Sequence, residues 1–493
     1  MTSRFVEPIP DKGLRSDSLG LLGNMAIGLS STAPAYSLAA TLGYVVATVH
    51  EKSPAMFALA FIPMLMVAVA YRELADTVPD CGTTATWGSK AFGPWVGWMG
   101  GWGLAVSAII VLANVAEISG IYLLRFVGMP ELADSRWLVT ALGCALIAAM
   151  TWVSYRGIVV SERVQNVLMA VQFAVLIFAA AAALIAVYTG RAGAQAVRPS
   201  WSWLTPAGLS ASQIAAAVIL CIFLYWGWDA CLAVGEETKG SASTPGRAAV
   251  LSTVVLLGTY VLIAVAVQAY AGFGSTGIGL NNEANRDDVL TVLGGPVGGP
   301  VLAGLLLLTV AISALSSTQS TVLPTARGTL AMAVYKAIPD RFARVDPKYL
   351  TPSFGTVVMG ASALLFYLTL SALSRNALED SIKSLGLAVA FYYAITAFSC
   401  VWFFRRTLLR SPRNFVLRLV FPLLGGLTMV WAFARSAVDM LSPEYGSTTI
   451  AGVGGVFVLG VGMLVLGVPL MIACAVHRPG FFRGQTLPKS AEL

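Results

Sequence analysis

The sequence predicts an all-α integral membrane protein with about twelve transmembrane helices, and two observations support that prediction. Of the 493 residues, 57% are hydrophobic and only 11% are charged, which is roughly half the charge of an average soluble chain. Apolar runs of about 20 residues, long enough to cross a bilayer, also follow one another along nearly the whole chain. We therefore expect one membrane domain and no separate soluble domain.

The apolar runs divide the chain into spans and tails. The predicted spans cover residues 19–48, 54–74, 95–126, 136–155, 162–189, 212–237, 246–272, 297–323, 353–374, 382–405, 414–434 and 450–475. We expect an N-terminal tail over 1–18, a membrane domain over 19–475 and a C-terminal tail over 476–493. The first run is too long for a signal peptide and continues into further spans, which indicates a retained helix.

The charged residues predict the orientation. Most of the 31 Lys and Arg residues lie on one side of the membrane when the N-terminus is placed in the cytoplasm, as the positive-inside rule requires. This pattern predicts a multi-pass protein of the cell membrane with both termini cytoplasmic. It also accounts for the net charge of +7 without nucleic acid, so we expect no nucleic-acid partner.

The reactive residue types are sparse. The six cysteines show no C-x-x-C spacing, and the only histidines, His50 and His477, lie near span ends. Cysteines inside spans behave as small apolar residues. We expect no cofactor, no structural zinc and no enzymatic activity.

Two predicted spans contain helix-breaking segments. Span 1 holds IGLSSTAPAYS at residues 27–37, with Pro34 after three hydroxyl residues, and span 6 holds LYWGWDACLAVG at residues 224–235, with Gly227 between two tryptophans. Non-helical backbone at membrane depth is tolerated only where it lines a cavity or is buried in protein. The alternative for either segment is a simple kink without a ligand.

The two breaks occupy matching positions, in the first helix of spans 1–5 and the first helix of spans 6–10. Such a pair is typical of an inverted repeat with a binding site at the bilayer midplane. We expect repeats over about 19–190 and 210–405, followed by two additional helices over about 414–475.

Four stretches, in order, resemble the amino acid–polyamine–organocation (APC) permeases. They are YRELADTVPDCGTTATWGSKAFGPWVGWMGGW at residues 71–102, YRGIVVSERVQN at 155–166, FLYWGWDACLAVGEETKGSASTPGR at 223–247 and TARGTLAMAVYKAIPDRFARVDPKYLTPSF at 325–354. The resemblance covers about residues 14–405. It implies a 5+5 inverted-repeat fold of the LeuT type with discontinuous helices 1 and 6, and secondary active transport of amino acids or related amines.

The resemblance also implies a substrate site at the breaks. Where the family commonly has G-x-G, this sequence has Thr32, Ala33 and Pro34, and proline has no N–H to offer a carboxylate. Hydroxyls can replace that donor or only cap the kinked backbone. The expected substrate contacts are Ser30, Ser31, Thr32 and Ala33 in span 1, and the aromatic gate Phe223 with Tyr225, Trp226, Gly227 and Asp229 in span 6.

Several polar residues carry more than one interpretation. An acidic group inside a span is costly and usually functional, so Asp229 is expected to pair with a cationic substrate, carry a proton or serve the gate; a structural salt bridge is the alternative. Glu236 and Glu237 are expected to form a gate-closing ion pair or to be solvated. Ser107, Asn114 and Glu117 share a face of span 3 that is expected to line the cavity, although Glu117 can simply pair outside it.

The resemblance leaves the coupling ion open. Gln172 matches the position at which proton-coupled relatives carry a lysine, so that lysine mechanism should be absent. Ser313, Ser316 and Ser317 resemble the hydroxyls that hold sodium in the wider fold, with Ser316 and Ser317 as the possible sodium site, although hydroxyls also serve helix packing. Proton coupling through Asp229 and exchange without an ion are the other possibilities.

Three further function classes are alternatives to an amino acid transporter. A polyamine transporter without carboxylate recognition fits Asp229 and the tryptophans. A channel or a membrane-embedded enzyme fits less well, because the sequence shows neither a repeated filter pattern nor a catalytic cluster. The outer loop at 275–296 is expected to be solvated around Asn281–Asp288, and the sequence does not predict an oligomeric state.

Overall fold

The computed structural model describes residues 9–286, 288–373 and 375–487, and these residues are almost entirely helical. The helices are α1 Leu21–Ser31, α2 Pro34–Val49, α3 Ser53–Ala75, α4 Thr84–Phe92, α5 Pro94–Phe126, α6 Pro130–Ala133, α7 Arg136–Tyr155, α8 Ile158–Tyr188, α9 Ala211–Leu224, α10 Ala230–Ala233, α11 Thr244–Ala271, α12 Val289–Val334, α13 Ser353–Leu373, α14 Arg375–Phe403, α15 Pro412–Asn414, α16 Phe421–Met440, α17 Gly455–His477 and α18 Pro479–Phe482. The predicted all-α class is confirmed.

Short irregular elements join the long helices. They are 3-10 turns at His50–Lys52, Trp201–Leu204, Gly235–Glu237, Glu283–Asn285, Asp340–Ala343 and Leu408–Arg410, a π-helical stretch at Phe415–Val420, and the antiparallel strands β1 Thr449–Ile450 and β2 Val453–Gly454.

By length and composition, ten segments of the described chain are apolar enough to cross a membrane. The first, Leu21–Ala75, contains α1, α2 and α3, and Ala211–Leu224 is an additional shorter apolar helix. Large apolar side chains remain exposed on the outer helices, among them Trp152 at 57% and Phe178 at 59%. Such a surface is tolerated in lipid and not in water.

The core forms around α5 and α12, which pack along each other and also contact α7, α8, α13 and α14. The buried carboxylate of Glu73 on α3 accepts from Arg418 at 2.7 Å and also from Arg413. These ion pairs attach the segment before α16 to the core. Because both cations bond one buried acid, the C-terminal helices are fixed to the bundle on that side.

Several predicted boundaries were wrong. The loop between spans 2 and 3 contains the helix α4, and the predicted span 12 begins with the strands β1 and β2, so that α17 starts only at Gly455. Predicted span 8 is part of a longer helix, which is kinked at Gly298 and Gly299 and continues to Val334.

The outer loop also differs from its prediction. Asn285 is buried, and the backbone of Arg286 lies so close to Gly43 on α2 that a Cβ there would be 2.4 Å from the Arg286 carbonyl oxygen. The described part of this loop therefore packs on the bundle, although it was expected to be solvated. Residue 287, within that predicted stretch, lies outside the described residues, as do residues 1–8 and 488–493 of the predicted tails.

Candidate functional site between two broken helices

The first break separates α1 from α2 at Thr32 and Ala33. Ala33 adopts a left-handed conformation with φ 45° and ψ 58°, and Pro34 opens α2. Proline disfavours a continuous helix, because it lacks an N–H and its ring collides with the preceding turn, at a cost of about 3 kcal/mol. The local sequence therefore favours the break that was predicted here.

The hydroxyls of Ser30 and Thr32 bond carbonyls of α1, whereas Ser37 on α2 bonds back across the break. Ser30 Oγ donates to the Ala26 carbonyl at 2.5 Å, Thr32 Oγ1 donates to the Leu29 carbonyl at 2.7 Å, and Ser37 Oγ donates to the Thr32 carbonyl at 2.8 Å. For Ser30 and Thr32, the capping interpretation therefore accounts for the hydroxyl hydrogen.

The second break lies between α9 and α10. Residues 225–229 form turns rather than a continuous helix, and Gly227 has φ +112°. A Cβ at Gly227 would lie 2.8 Å from the carbonyl carbon of Ser31 and 3.0 Å from the Thr32 nitrogen. The two breaks are therefore in direct contact, and only glycine fits both the space and the backbone conformation.

The second break leaves backbone carbonyls available. The Gly227 carbonyl accepts from the Ala230 N–H at 3.0 Å, so it is not free to bind a solute. Among the described residues, no donor reaches the carbonyl oxygens of Tyr225 and Trp226. Trp226 lines both cavities at the breaks, whereas Tyr225 lines neither and its hydroxyl donates to the Phe57 carbonyl at 3.1 Å.

Asp229 follows the second break and is buried, with 8% of its surface exposed. Its carboxylate accepts from the Tyr393 hydroxyl at 2.9 Å and the Tyr392 hydroxyl at 3.2 Å, both on α14. Trp226 Nε1 donates to the same Tyr392 hydroxyl at 2.5 Å. Within the described chain no cation pairs with Asp229, so the structural salt bridge weighed from the sequence is not the arrangement found.

Two cavities meet at the breaks. A large cavity of about 220 Å³ is lined by α2, α5, α9, α14 and Tyr445, and it includes Ala33 and Lys383. A small cavity of about 40 Å³ is lined by Asp229, Gly227 and the middle of α12. Ser31 and Trp226 line both cavities, so they separate the two spaces.

Phe223 lines the large cavity next to Leu224 and Trp226. Its ring packs on Gly386 of α14, where an added Cβ would lie 2.5 Å from the ring. The ring therefore forms part of the cavity wall, and its role as a gate stays a prediction.

The serines of α12 bond both halves of the first broken helix. Ser317 Oγ donates to the Ser31 carbonyl at 3.0 Å, and Ser313 Oγ accepts from the Tyr36 N–H at 3.3 Å. Ser316 Oγ donates to the Ser313 carbonyl within α12 at 2.9 Å. Helix α12 is thus the support that holds the first break in place.

Gln165, which the sequence interpretation did not single out, connects α8 to this support. Its Nε2 donates to the Ser316 carbonyl at 2.9 Å and also bonds Gln319. Gln172, the residue that was singled out, donates only to Met169 Sδ at 3.4 Å among the described contacts. The two glutamines are seven residues apart on one helix face, so spacing alone does not decide which of them reaches α12.

The polar stripe on α5 divides in the structure. Asn114 Oδ1 accepts from the hydroxyl of Tyr36 at 2.7 Å, and Tyr36 lines the large cavity. Ser107 Oγ bonds the Leu104 carbonyl of its own helix. Asn114 therefore contacts a residue that lines the large cavity, and the Ser107 hydroxyl bonds within its own helix.

Ion pairs close the end of the bundle that carries residues 9–19, the α3–α4 loop and Gly235–Glu237; we call this end the N-terminal face. The fully buried Lys12 Nζ lies 3.0 Å from Asp80 and 2.6 Å from Glu236. Asp80 also accepts from the Tyr335 hydroxyl at 2.5 Å, and Glu236 accepts from the Cys81 N–H at 2.8 Å. Four separate segments therefore meet at one lysine.

A second buried pair lies beside Lys12. Arg327 on α12 donates to both carboxylate oxygens of Glu237, at 2.9 Å for the Nη2 contact, and the Glu237 carbonyl accepts the N–H groups of Ser18 and Leu19. Of the two alternatives weighed for Glu236 and Glu237, the structure shows ion pairs rather than solvation.

The charges at this face reinforce one another. Burial alone would raise the pKa of Asp80, but the Lys12 ammonium and the bonds from Tyr335 and Thr86 hold it below its usual value. Burial likewise opposes the charge of Lys12, yet the surrounding acidic groups raise its pKa above the usual range. Ligand atoms of Asp80, Cys81 and Glu236 lie within 4.8 Å of one another, and both carboxylates already pair with the lysine.

Comparison with known proteins identifies the family of the chain. The family model for amino acid permeases matches residues 19–472. An uncharacterised transporter of Mycobacterium tuberculosis is 28% identical over 78% of this chain and 80% of its own length. The low-affinity putrescine importer PlaP of Escherichia coli is 25% identical over 84% of this chain and 87% of its own length. The branched-chain amino acid permease BcaP of Bacillus subtilis is 24% identical over 63% of this chain and 66% of its own length.

The match over residues 19–472 and the transporter relatives show that this helical membrane protein is a transporter and not an enzyme. The chain belongs to the amino acid permease family. The resemblance noted in the sequence is thereby confirmed over nearly the whole membrane domain.

Proposed function

We propose that this permease is a secondary transporter that carries amino acids or related amines by alternating access, with the solute held between the two helix breaks. The observation that supports the proposal is the contact of Gly227 with the Ser31 carbonyl group beside Asp229. Buried polar groups at a helix break are typical of a solute site at membrane depth.

We infer twelve crossings arranged as two inverted repeats of five and two further helices. On this interpretation α1 and α2 form one crossing, α9 and α10 form another, and α16 and α17 are the additional pair. Both termini are then on the same side, which the basic residues place in the cytoplasm of the cell membrane.

The cavities favour a state that is closed at the N-terminal face. The large cavity lies on the α2 side of the first break, and the small cavity lies on the side of Cys81, Pro324 and Gly328. The Lys12 and Arg327 ion pairs lie beyond the small cavity. In alternating access these pairs must separate before a solute can leave in that direction.

Few backbone N–H groups at the first break are available to a carboxylate, which favours an amine as the solute. A polyamine or other organic amine is therefore the second candidate. Pro34 has no N–H, Tyr36 N–H donates to Ser313, and Ser37 N–H donates to the Ala33 carbonyl. Ala35 carries the one backbone N–H in this turn without an assigned acceptor in the described structure. Asp229 and the carbonyl of Trp226 supply complementary acceptors for an ammonium.

Two routes of ion coupling follow from the same contacts. A sodium ion at Ser316 and Ser317 would use hydroxyl and carbonyl oxygens next to the first break, and a proton would use Asp229. Exchange of one solute for another needs neither.

Uptake into proteoliposomes tests the proposal. Labelled basic, neutral and acidic amino acids and polyamines are offered with and without sodium and pH gradients. We expect accumulation of an amino acid or amine that saturates with concentration, and Asp229→Asn should reduce it. Absence of uptake for every member of the panel by correctly inserted protein would refute the proposed function, and preference for polyamines would select the second candidate.

A further inference from the structure

A third cavity opens beside the bundle, away from the two helix breaks. It has a volume of about 490 Å³ and lies between α5, α12, α13 and the end of α17; we call it the lateral cavity. Leu470, one of its lining residues, is 42% exposed, so the cavity opens on the apolar outer surface of the bundle. None of its lining residues belongs to the two helix breaks.

The walls of the lateral cavity are apolar, including those formed by tryptophans. Trp98 Nε1 donates to the Ala337 carbonyl at 3.2 Å, and Trp102 Nε1 donates to the Met463 carbonyl at 2.9 Å. Because both indole N–H groups are already bonded, the rings offer only their apolar surfaces to an occupant. An apolar space of this kind is not stabilised by water and gains dispersion contacts when a hydrocarbon fills it.

The depth of the lateral cavity matches one leaflet of a bilayer. Along α5 it extends from Trp98 to Ile109, which is about 16 Å at a rise of about 1.5 Å per residue. Half of a hydrocarbon core is about 15 Å. Measured inwards from the N-terminal face, the lateral cavity is therefore about as long as the acyl-chain layer of one leaflet.

Cations surround the mouth of the lateral cavity. Arg478 lines it and donates to both oxygens of Asp340 at 2.9 and 3.1 Å, and Lys336 Nζ reaches the same carboxylate at 3.0 Å. Two cations thus share one acid. Arg341 and Arg344 flank the lining residue Phe342, are exposed, and form no ion pair within the described part of the chain.

We propose that the lateral cavity binds one acyl chain of an anionic phospholipid from the leaflet at the N-terminal face, with Arg341 and Arg344 next to its phosphate. Basic residues at the membrane surface attract anionic headgroups, while the apolar cavity takes the chain. The proposal depends on the membrane location of the chain and not on which solute is carried, so it can fail or succeed independently of the transport proposal.

The occupant would also contact the transport core. Leu104, Thr325 and Gly328 line both the lateral cavity and the small cavity below Asp229. A chain in the lateral cavity therefore packs against the same turn of α12 that must move when the small cavity opens.

Photo-crosslinking of full-length protein in nanodiscs tests this site. Phosphatidylglycerol or phosphatidylcholine carrying a photoactivatable acyl chain is added at a low fraction to neutral lipid, and the crosslinked peptides are mapped by mass spectrometry. We expect crosslinks to peptides holding Trp98–Ile109 and Val358–Ser362, and about 30-fold stronger apparent binding of phosphatidylglycerol, at about 1 kcal/mol for each of two surface cations.

Variants separate the chain site from general surface attraction. Ser362→Phe fills the cavity and keeps the cations, so it should abolish these crosslinks for both lipids. Arg341→Gln combined with Arg344→Gln should remove the preference for phosphatidylglycerol, whereas Arg341→Lys combined with Arg344→Lys should keep it. Arg410→Gln, in another loop, should leave the preference unchanged. Equal labelling by both lipids in the native protein, crosslinks that persist in Ser362→Phe, or a second copy of the chain found in the crosslinked product would each overturn the proposal.

Discussion

Asp229 is a carboxylate inside the helical bundle whose described partners are two tyrosine hydroxyls rather than a cation. An ionised acid at this depth costs free energy unless a cation pairs with it. A cationic group of the transported solute can meet that need during each cycle. In the proposed function, Asp229 is therefore the residue on which recognition of a cationic solute depends most directly.

Asp229→Asn keeps the side-chain shape and removes the charge. We expect uptake of a cationic solute to fall by about 30-fold or more, because losing one partner of a buried charge pair costs about 2–5 kcal/mol. Initial rates in proteoliposomes measure the effect. Asp439→Asn, which breaks a pair with Arg435 on the surface of α16, is the control and should transport normally.

Gly227→Ala tests the contact between the breaks. The new Cβ would meet the Ser31 carbonyl group within 3.0 Å, and φ +112° is unfavourable for alanine, at about 1–3 kcal/mol. We expect at least a 10-fold loss of transport rate in protein that still inserts. Gly258→Ala on α11, where an added Cβ meets nothing within 4 Å, is the matched control. Equal rates for both alanine variants would contradict the proposed contact.

For individual residues, the sequence predicted those features that depend on neighbours along the chain. Pro34 and Gly227 break their own helices, so both breaks were predictable. The partners of Asp229 were not, because Tyr392 and Tyr393 lie on α14, more than 160 residues later. Two adjacent tyrosines within an apolar span were the one signal that could have indicated them.

Among the elements, the N-terminal segment has the most testable role. Its Lys12 joins the α3–α4 loop to Gly235–Glu237, and both ends of that connection must move if the small cavity is to open. Because the pKa of Asp80 is lowered and that of Lys12 is raised, this pair stays charged from about pH 4 to about pH 10. The pair would be lost only as pH falls through the lowered value or rises through the raised one, so mutation is the better test.

Lys12→Gln should favour opening at the N-terminal face, since it leaves two buried carboxylates without their cation. Burial raises the pKa of the Cys81 thiol and keeps it unreactive until water enters. We expect at least a 10-fold faster maleimide labelling of Cys81, measured by mass spectrometry of its peptide. Lys52→Gln, at a different loop, should have no effect, and a slow rate in both variants would argue against this role.

Helix existence was easier to predict than helix ends. Apolar runs of about 20 residues identified every long helix, whereas the nine-residue α4 and the two-residue strands β1 and β2 are too short to give such a run. The kink at Gly298 lies between Pro296 and Pro300, a local signal that the length of the run does not contain. Predicted span 6 illustrates the difference: the run extends over 212–237, but the continuous helix ends at Leu224 because the next residues turn against α1. Tertiary contact overrides local pattern there.

For the whole molecule, an even number of crossings predicts that both tails lie on the same side. We expect cysteines introduced at Asp11 and at Gln485 to react with an impermeant reagent only in inside-out vesicles, and one introduced at Ser447 to react only in right-side-out vesicles. Tails that label from opposite sides would mean an odd number of crossings and would exclude the 5+5 plus two arrangement.

The central claim is that the solute binds between the two helix breaks, and protection of Ser31→Cys from a hydrophilic thiol reagent tests it most directly. Ser31 lines both cavities, while Ala40, about 13 Å further along the first crossing by helical rise, lines only the large one. We predict that the transported solute slows labelling of Ser31→Cys with half-protection at its half-saturating concentration for uptake, and leaves Ala40→Cys reactive. Undiminished labelling of Ser31→Cys at saturating solute would contradict the account.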